Sequence, residues 1–218
     1  AGSAMSWHVW LAYFAAAWLI ALSPGSGAVL SMSHGLRYGV RQTTATIVGL
    51  QLGLAFILIV AGAGVGALLV TSATAFTVVK VLGAAYLLWL GWRQWRTPLG
   101  LPGDDGGGPA APPLSVRRRV VLGLFTNATN PKGIVFMVAV LPQFIHPRQP
   151  LVPQLAILLV TTLAVDFVVM HGYAALASRL RGWLKSARAR RTQNRVFGGV
   201  LMAMGASLLM VDRVARST

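Results

Sequence analysis

The sequence predicts an all-α membrane protein with six transmembrane helices, arranged as two inverted three-helix repeats whose first and fourth helices are interrupted at proline. Three observations predict this class. The 218 residues are 56% hydrophobic and only 11% charged, whereas soluble domains carry about 25% charged residues. Lys and Arg gather in alternate connections between apolar runs. Proline–glycine breaks fall inside two of those runs, at Ser23-Pro24-Gly25-Ser26-Gly27 and at Asn130-Pro131-Lys132-Gly133.

Taken in order, residues 1–4 precede Met5 and read as an expression scar. The apolar segment after Met5 has no basic leader and runs past signal-peptide length, so it reads as a retained helix. Six apolar runs are read as spans against the roughly 20 residues that cross a bilayer: Trp7–Ser33, Thr43–Val70, Ala75–Trp95, Val120–Ile145, Leu151–Ser178 and the shorter Phe197–Val211. Residues 5–96 form a first three-helix unit and 120–218 a second. Between them lies the linker 97–119, whose Pro- and Gly-rich part from Thr97 to Ser115 is too poor in apolar side chains to pack a core. Its pair Asp104-Asp105 reads as two solvated carboxylates rather than a metal loop.

Orientation follows from basic charge. The first, third and fifth connections hold fourteen Lys and Arg, from Arg37 and Arg41 through Arg117, Arg118 and Arg119 to Arg195; the opposite side holds three, Arg148, Arg213 and Arg216. Basic residues favour the cytoplasmic side. Both termini are therefore expected in the periplasm and the linker in the cytoplasm. The net charge of +15 is accounted for by these loops, and no basic face suited to nucleic acid stands out. With Cys 0, disulfides, thiolate metal sites and thiol redox chemistry are excluded.

The breaks carry the functional reading. Proline removes a backbone donor and glycine adds freedom, so a helix opens there. Open backbone at membrane depth is tolerated only against protein or a watery cavity. Paired interrupted segments in two halves point to a transporter binding site. The halves also match weakly: Gln51 and Asp166 are 115 residues apart, as are Lys80 and Arg195, Val81 and Val196, and Gly83 and Gly198, while Pro24 and Pro131 are 107 apart.

The Pro24-Gly25 break, the segment LGAAYLLWLGW from Leu82 to Trp92, and Asn130-Pro131-Lys132-Gly133 followed by Leu141-Pro142-Gln143-Phe144 resemble the LysE/RhtB family of amino-acid exporters. So do Val165-Asp166-Phe167 and the later run AALASRLR from Ala174 to Arg181. The resemblance extends from Met5 to about Val211. It implies an exporter of amino acids or their derivatives in the bacterial inner membrane, driven by a proton or other ion gradient. The family usually reads Pro-Gly-Pro at the first break, where this chain has Ser26; the hydroxyl there bears on substrate polarity.

Asp166 lies well inside the fifth span, where an ionised carboxylate costs about 2.5–3.5 kcal/mol on insertion scales. It reads as a proton acceptor or a counter-charge for a substrate ammonium; a structural ion pair with Lys132 is the plainer role. Lys132 follows Pro131 at a half-helix start, where free N–H groups and a positive dipole end suit a carboxylate; its plainer role is snorkelling to a headgroup. Asn130 either caps that half-helix or touches substrate. Gln51, at the repeat position of Asp166, either bonds substrate or bridges helices. Pro24, Gly25, Ser26, Gly27, Pro131 and Gly133 complete the expected substrate site. Gly49 and Gly53, and Gly62 and Gly66, read as close-packing pairs. His171 lies about 140° round the helix from Asp166 and reads as an interhelical residue, with His34 and His146 at the interfaces.

Neither a cofactor nor a metal is called for, and a homodimer is compatible with the plan. Two other classes were weighed. A metal-ion exporter of related architecture would want several carboxylates. An intramembrane serine protease would need Ser26 and His171 within hydrogen-bond reach and an oxyanion hole. Topology is testable directly: cysteines introduced singly as Ser6→Cys and Gly107→Cys should label from opposite faces of the membrane, and labelling from one face would end the six-span plan.

Overall fold

The computed structural model describes residues 5–71, 73–96 and 113–179, with isolated helical positions between 192 and 209. Residues 1–4, residues 97–112 of the linker, most of the expected sixth span Phe197–Val211, and the repeat partners Val196 and Gly198 lie outside the described residues. The described chain is helical, without strands: α1 Trp7–Leu22, α2 Ser26–Thr71, α3 Ala73–Arg96, α4 Val116–Ala128, α5 Pro131–Ala139, a 3-10 turn Leu141–Phe144, and α6 Leu151–Arg179. The stretches Ser26–Gly64 and Leu151–Arg179 are long and apolar enough to cross a membrane; Trp7–Leu22 and Pro131–Phe144 are apolar but shorter.

Both breaks form where proline places them. α1 stops at Ser23, in extended conformation, and α2 starts two residues past Pro24. α4 stops before Thr129, and Pro131 opens α5 with the Asn130 side chain accepting from the Lys132 amide, the arrangement for which proline's missing N–H and fixed φ are suited. At 1.5 Å per residue α1 is about 24 Å long and α5 about 14 Å. Each is short of the ~30 Å hydrocarbon layer.

α2 is two antiparallel arms. Gly39, at φ 75° and ψ 167°, is the single non-helical residue within it, and this left-handed φ is one that only glycine adopts readily. His34 Nδ1 lies 2.6 Å from Thr46 Oγ1. Twelve residues of straight helix would hold those side chains about 18 Å apart, so the chain reverses at Gly39. The first expected span therefore runs on past Ser33 to the reversal, and the second begins before Thr43. α4 likewise begins at Val116, capped by Ser115, which takes 116–119 from the expected linker.

Neighbouring contacts fix the directions. Trp10 Nε1 donates to Thr161 Oγ1 at 3.0 Å, Tyr13 and Thr162 hydroxyls meet at 2.6 Å, and the Tyr173 hydroxyl donates to the Leu22 carbonyl. The partners advance together, so α1 runs parallel to α6. Thr44 meets His171 at 3.0 Å and Gln51 meets Asp166, whereas a Cβ on Gly62 would strike Leu155; α2's second arm thus opposes α6. Arg119 donates to the Gln42 carbonyl, Asn127 Nδ2 to the Leu50 carbonyl at 2.9 Å, and Gly133 faces Ile57. α4 and α5 therefore run with α2's second arm. The two broken segments cross the structure in opposite directions.

Charge follows this layout. The Gly39 reversal, the start of α4 and the end of α6 meet at one end, bringing together Arg37, Arg41, Arg117, Arg118, Arg119 and Arg179. There Arg119 is buried, stacked over the Tyr38 ring at 5.1 Å. His34, expected at an interface, is buried in this cluster. At the other end Gln154, 1% exposed, bonds both main-chain groups of His146 and the carbonyls of Gln149 and Pro150. One amide thereby satisfies the turn leading into α6.

α2 and α4 cross backbone on backbone. A Cβ on Gly49 would sit 2.0 Å from the Val120 carbonyl oxygen, on Gly53 2.3 Å from that of Leu124, and on Gly123 2.2 Å from that of Thr46. The expected packing role of Gly49 and Gly53 is thus met; the side-chain surroundings of Gly66 lie outside the described residues. Gly64 has nothing within 4 Å of its would-be Cβ. Gly49→Ala should therefore cost about 1–3 kcal/mol or more, as overpacking does. Gly64→Ala should cost nothing, since alanine is the better helix former. Thermal unfolding of the two variants in detergent measures the contrast, and equal stability would show that the crossing can spread freely.

Candidate functional site

The site grows from an unmet need of α1. The last carbonyls of a helix have no partner within it, and α1 ends inside the bundle. Lys132 Nζ donates to the Ile20 carbonyl at 3.1 Å and to the Ser23 carbonyl. The Tyr173 hydroxyl takes the Leu22 carbonyl, and the Ser23 amide returns to Leu19 at 3.1 Å. The cation also sits at the negative end of the helix dipole, where it is favoured. Gly25 makes room for it: a Cβ there would lie 3.2 Å from Lys132 Nζ.

Asp166 is 9% exposed, and its Oδ2 accepts from Gln51 Nε2 at 2.7 Å. The Gln51 Oε1 is buried with no hydrogen-bond partner among the described residues. The two residues that stand 115 apart in sequence are thus bonded to each other. Lys132 and Asp166, weighed above as a pair, each take a different partner while facing one cavity. That cavity is about 40 Å³; its polar wall includes Asn127, Asn130, Lys132, Thr162 and Asp166, its apolar wall Ile57, Phe136, Met137 and Met170. It holds about one water, and any amino acid is several times larger.

Of the residues expected at the site, Gly27, Asn130, Lys132, Gly133 and Asp166 border the cavity. Gln51 stands behind Asp166, and Pro24 and Gly25 form the joint against which Lys132 rests. Ser26 and Pro131 are exposed, with the Ser26 hydroxyl directed to the Thr126 carbonyl at 3.5 Å. Asn130 caps α5 as well as facing the cavity.

Asn127, Thr162 and Tyr173 were not anticipated. For the two on α6 the signal was spacing: Thr162, Asp166 and Tyr173 stand four and seven residues apart, which places them on one helical face. Asn127 lies on α4 and Asn130 beyond its end, so no helical spacing linked them. His171 bonds Thr44 and the Phe167 carbonyl, an interhelical role, while Ser26 is turned to Thr126; the nucleophile–base contact of a serine protease is not formed. Among the described residues no three His, Cys, Asp or Glu side chains cluster as metal ligands would.

The profile of the family described as LysE type translocator matches residues 18–211. The chain belongs to the LysE family. It is a membrane transporter, not an enzyme, and the LysE/RhtB resemblance read from its motifs is correct. A protein of Salmonella typhimurium strain LT2 named homoserine/homoserine lactone efflux protein is 43% identical over 204 residues, covering 94% of this chain and 97% of its own length. An uncharacterized membrane protein of Vibrio cholerae is 43% identical over 201 residues, covering 92% and 96%. A leucine efflux protein of Klebsiella pneumoniae is 30% identical over 202 residues, covering 91% and 93%. No solved structure matches the chain.

The LysE site shares one dependence across its wall: the end of α1 is held by side chains from α5 and α6. Tyr173→Phe keeps the ring but removes the donor to the helix-end carbonyl of Leu22, leaving that acceptor unmet in an apolar bundle at a cost of about 1–3 kcal/mol. A lowered Tm in detergent is the expected result. Unchanged stability would mean that water or another group already serves that carbonyl.

Proposed function

We propose that this transporter exports a small amino acid or amino-acid derivative, homoserine and its lactone being the first candidates, and that proton movement through Asp166 drives it. The observation that carries this reading is the convergence of Lys132, Asn130, Asp166 and the carbonyl end of α1 on one cavity between the two helix breaks. A zwitterion needs a cation or N–H groups for its carboxylate, and carbonyls or a carboxylate for its ammonium. This wall supplies both without a cluster of charged side chains. The efflux proteins of Salmonella and Klebsiella, similar over nearly the whole chain, support the same substrate class.

In this reading the Pro24 and Pro131 joints bind the backbone of the substrate, with Gly25, Gly27 and Gly133 permitting close approach. The opposed directions of the broken segments, and the pairing of Gln51 with Asp166, support an inverted repeat whose axis passes through the site. Alternating access then exposes one cavity to each face in turn. The basic end at Gly39 supports a cytoplasmic placement of that end and of the linker, with both termini in the periplasm of an inner-membrane protein.

Gln51 suits the coupling role assigned to Asp166. Its amide carries a donor for the ionised carboxylate and an acceptor for the protonated one, so half a turn of one side chain serves both states. Asp166→Asn keeps shape and removes titration. Gradient-driven efflux of homoserine from loaded vesicles should fall at least tenfold, while expression and insertion persist. Export at the parental rate with the same pH dependence would assign Asp166 a structural role.

A further inference from the structure

We propose that Lys132 is a tethered stand-in for the substrate's ammonium group: in the empty transporter its Nζ occupies the carbonyl cradle at the end of α1, and an amino acid binds by displacing it. The inference rests on the reading of the cavity as an amino-acid site and adds the identity of the group that must leave.

The cradle is a cation site by construction. It offers the Ile20 and Ser23 carbonyls to one ammonium at the negative end of the α1 dipole. The Ser23 hydroxyl, on a residue 0% exposed, is buried without a hydrogen bond among the described residues, a further oxygen beside the cradle that the lysine leaves unused. Ile20 borders the cavity as well as holding Lys132, so the cradle opens onto the space a substrate would enter. Gly25 closes the opposite side, its missing Cβ leaving the ammonium its room.

An α-amino acid carries the same ammonium as the lysine side chain. Exchange of one for the other keeps the helix-end carbonyls occupied throughout, which avoids baring buried acceptors. The displaced Lys132, on its long flexible stem, swings from α1 to the substrate carboxylate. The site therefore selects for both groups at once. A carboxylate without an ammonium has no means of vacating the cradle. An ammonium without a carboxylate displaces Lys132 and leaves it unpaired. The cavity of about 40 Å³ then describes the state in which the stand-in is seated and the site is closed on itself.

The test uses the purified full chain in detergent, with Lys132→Met to remove the charge and keep the length. Binding of n-propylammonium and of N-acetylhomoserine is measured on the parent and the variant by isothermal calorimetry, and Tm with and without n-propylammonium. The expected result is that n-propylammonium binds the variant at least tenfold more tightly than the parent and restores its lost Tm, whereas N-acetylhomoserine, which cannot vacate the cradle of the parent and meets no cation in the variant, binds neither. Tight binding of N-acetylhomoserine to the parent would overturn the displacement. Equal propylammonium affinity for the two proteins would overturn the proposal, since a fixed structural cap lowers stability without freeing a site. A variant that cannot be recovered folded even when extracted in n-propylammonium would overturn it too. Homoserine is run on the parent in parallel: if it binds there while propylammonium fails to distinguish the proteins, only the stand-in falls; if homoserine neither binds nor is exported, the reading of the cavity falls with it.

Discussion

The end of α1 is the constraint on which the site depends. A helix that stops inside a bundle leaves carbonyls that neither lipid nor neighbouring side chains of this apolar composition can satisfy by default. Two donors are brought to it from distant parts of the sequence, Lys132 from α5 and Tyr173 from α6. Each has its own support. Lys132 is aimed by the Asn130 cap and the Pro131 start of α5, and Tyr173 by α6 running in register with α1 through the Thr161 and Thr162 contacts. The break at Pro24 is thus a joint between three elements rather than a defect in one.

That joint explains how so few polar residues can make a binding wall. The open backbone supplies part of the hydrogen-bonding capacity, and each side chain at the cavity has a second task. Asn130 caps α5, Lys132 holds α1, and Asp166 accepts from Gln51 behind it. In an apolar bundle such sharing is economical, because every buried polar group added without a partner costs free energy. On the function proposed above, substrate recognition would be a rearrangement of bonds that already exist in the protein.

Much of this was legible in the sequence. The breaks at Pro24 and Pro131 follow from proline chemistry, and the structure places them within a residue or two. The Gly49 and Gly53 pair announced a close helix crossing, whereas the offset of Gln51 and Asp166 marked them only as counterparts of a repeat, and their hydrogen bond to each other was not foreseen. Other features were hidden for physical reasons. The reversal at Gly39 rests on one backbone angle in a stretch whose flanks are both helical, so hydropathy ran through it. The burial of His34 depends on Thr46 returning beside it after that reversal. Asn127 at the end of α4 and Thr162 and Tyr173 within α6 are polar residues whose meaning depends on which of them meet the cavity or the end of α1, and that is set by packing partners far away in sequence. Ser26 shows the converse: adjacency to a break does not determine which way a side chain faces.

The crossing of α2 and α4 has a mechanical consequence. Where side chains interdigitate, helices can slide by exchanging rotamers. At Gly49, Gly53 and Gly123 main chain rests on main chain, and there are no rotamers to exchange. The second arm of α2 and the whole of α4 therefore travel as one beam, with Asn127 pinned to Leu50 along its length. Any opening of the cavity must be taken up elsewhere, by α1 and α5 turning about the joints at Pro24 and Pro131. The glycines that make this protein compact also divide it into a part that stays rigid and a part that swings.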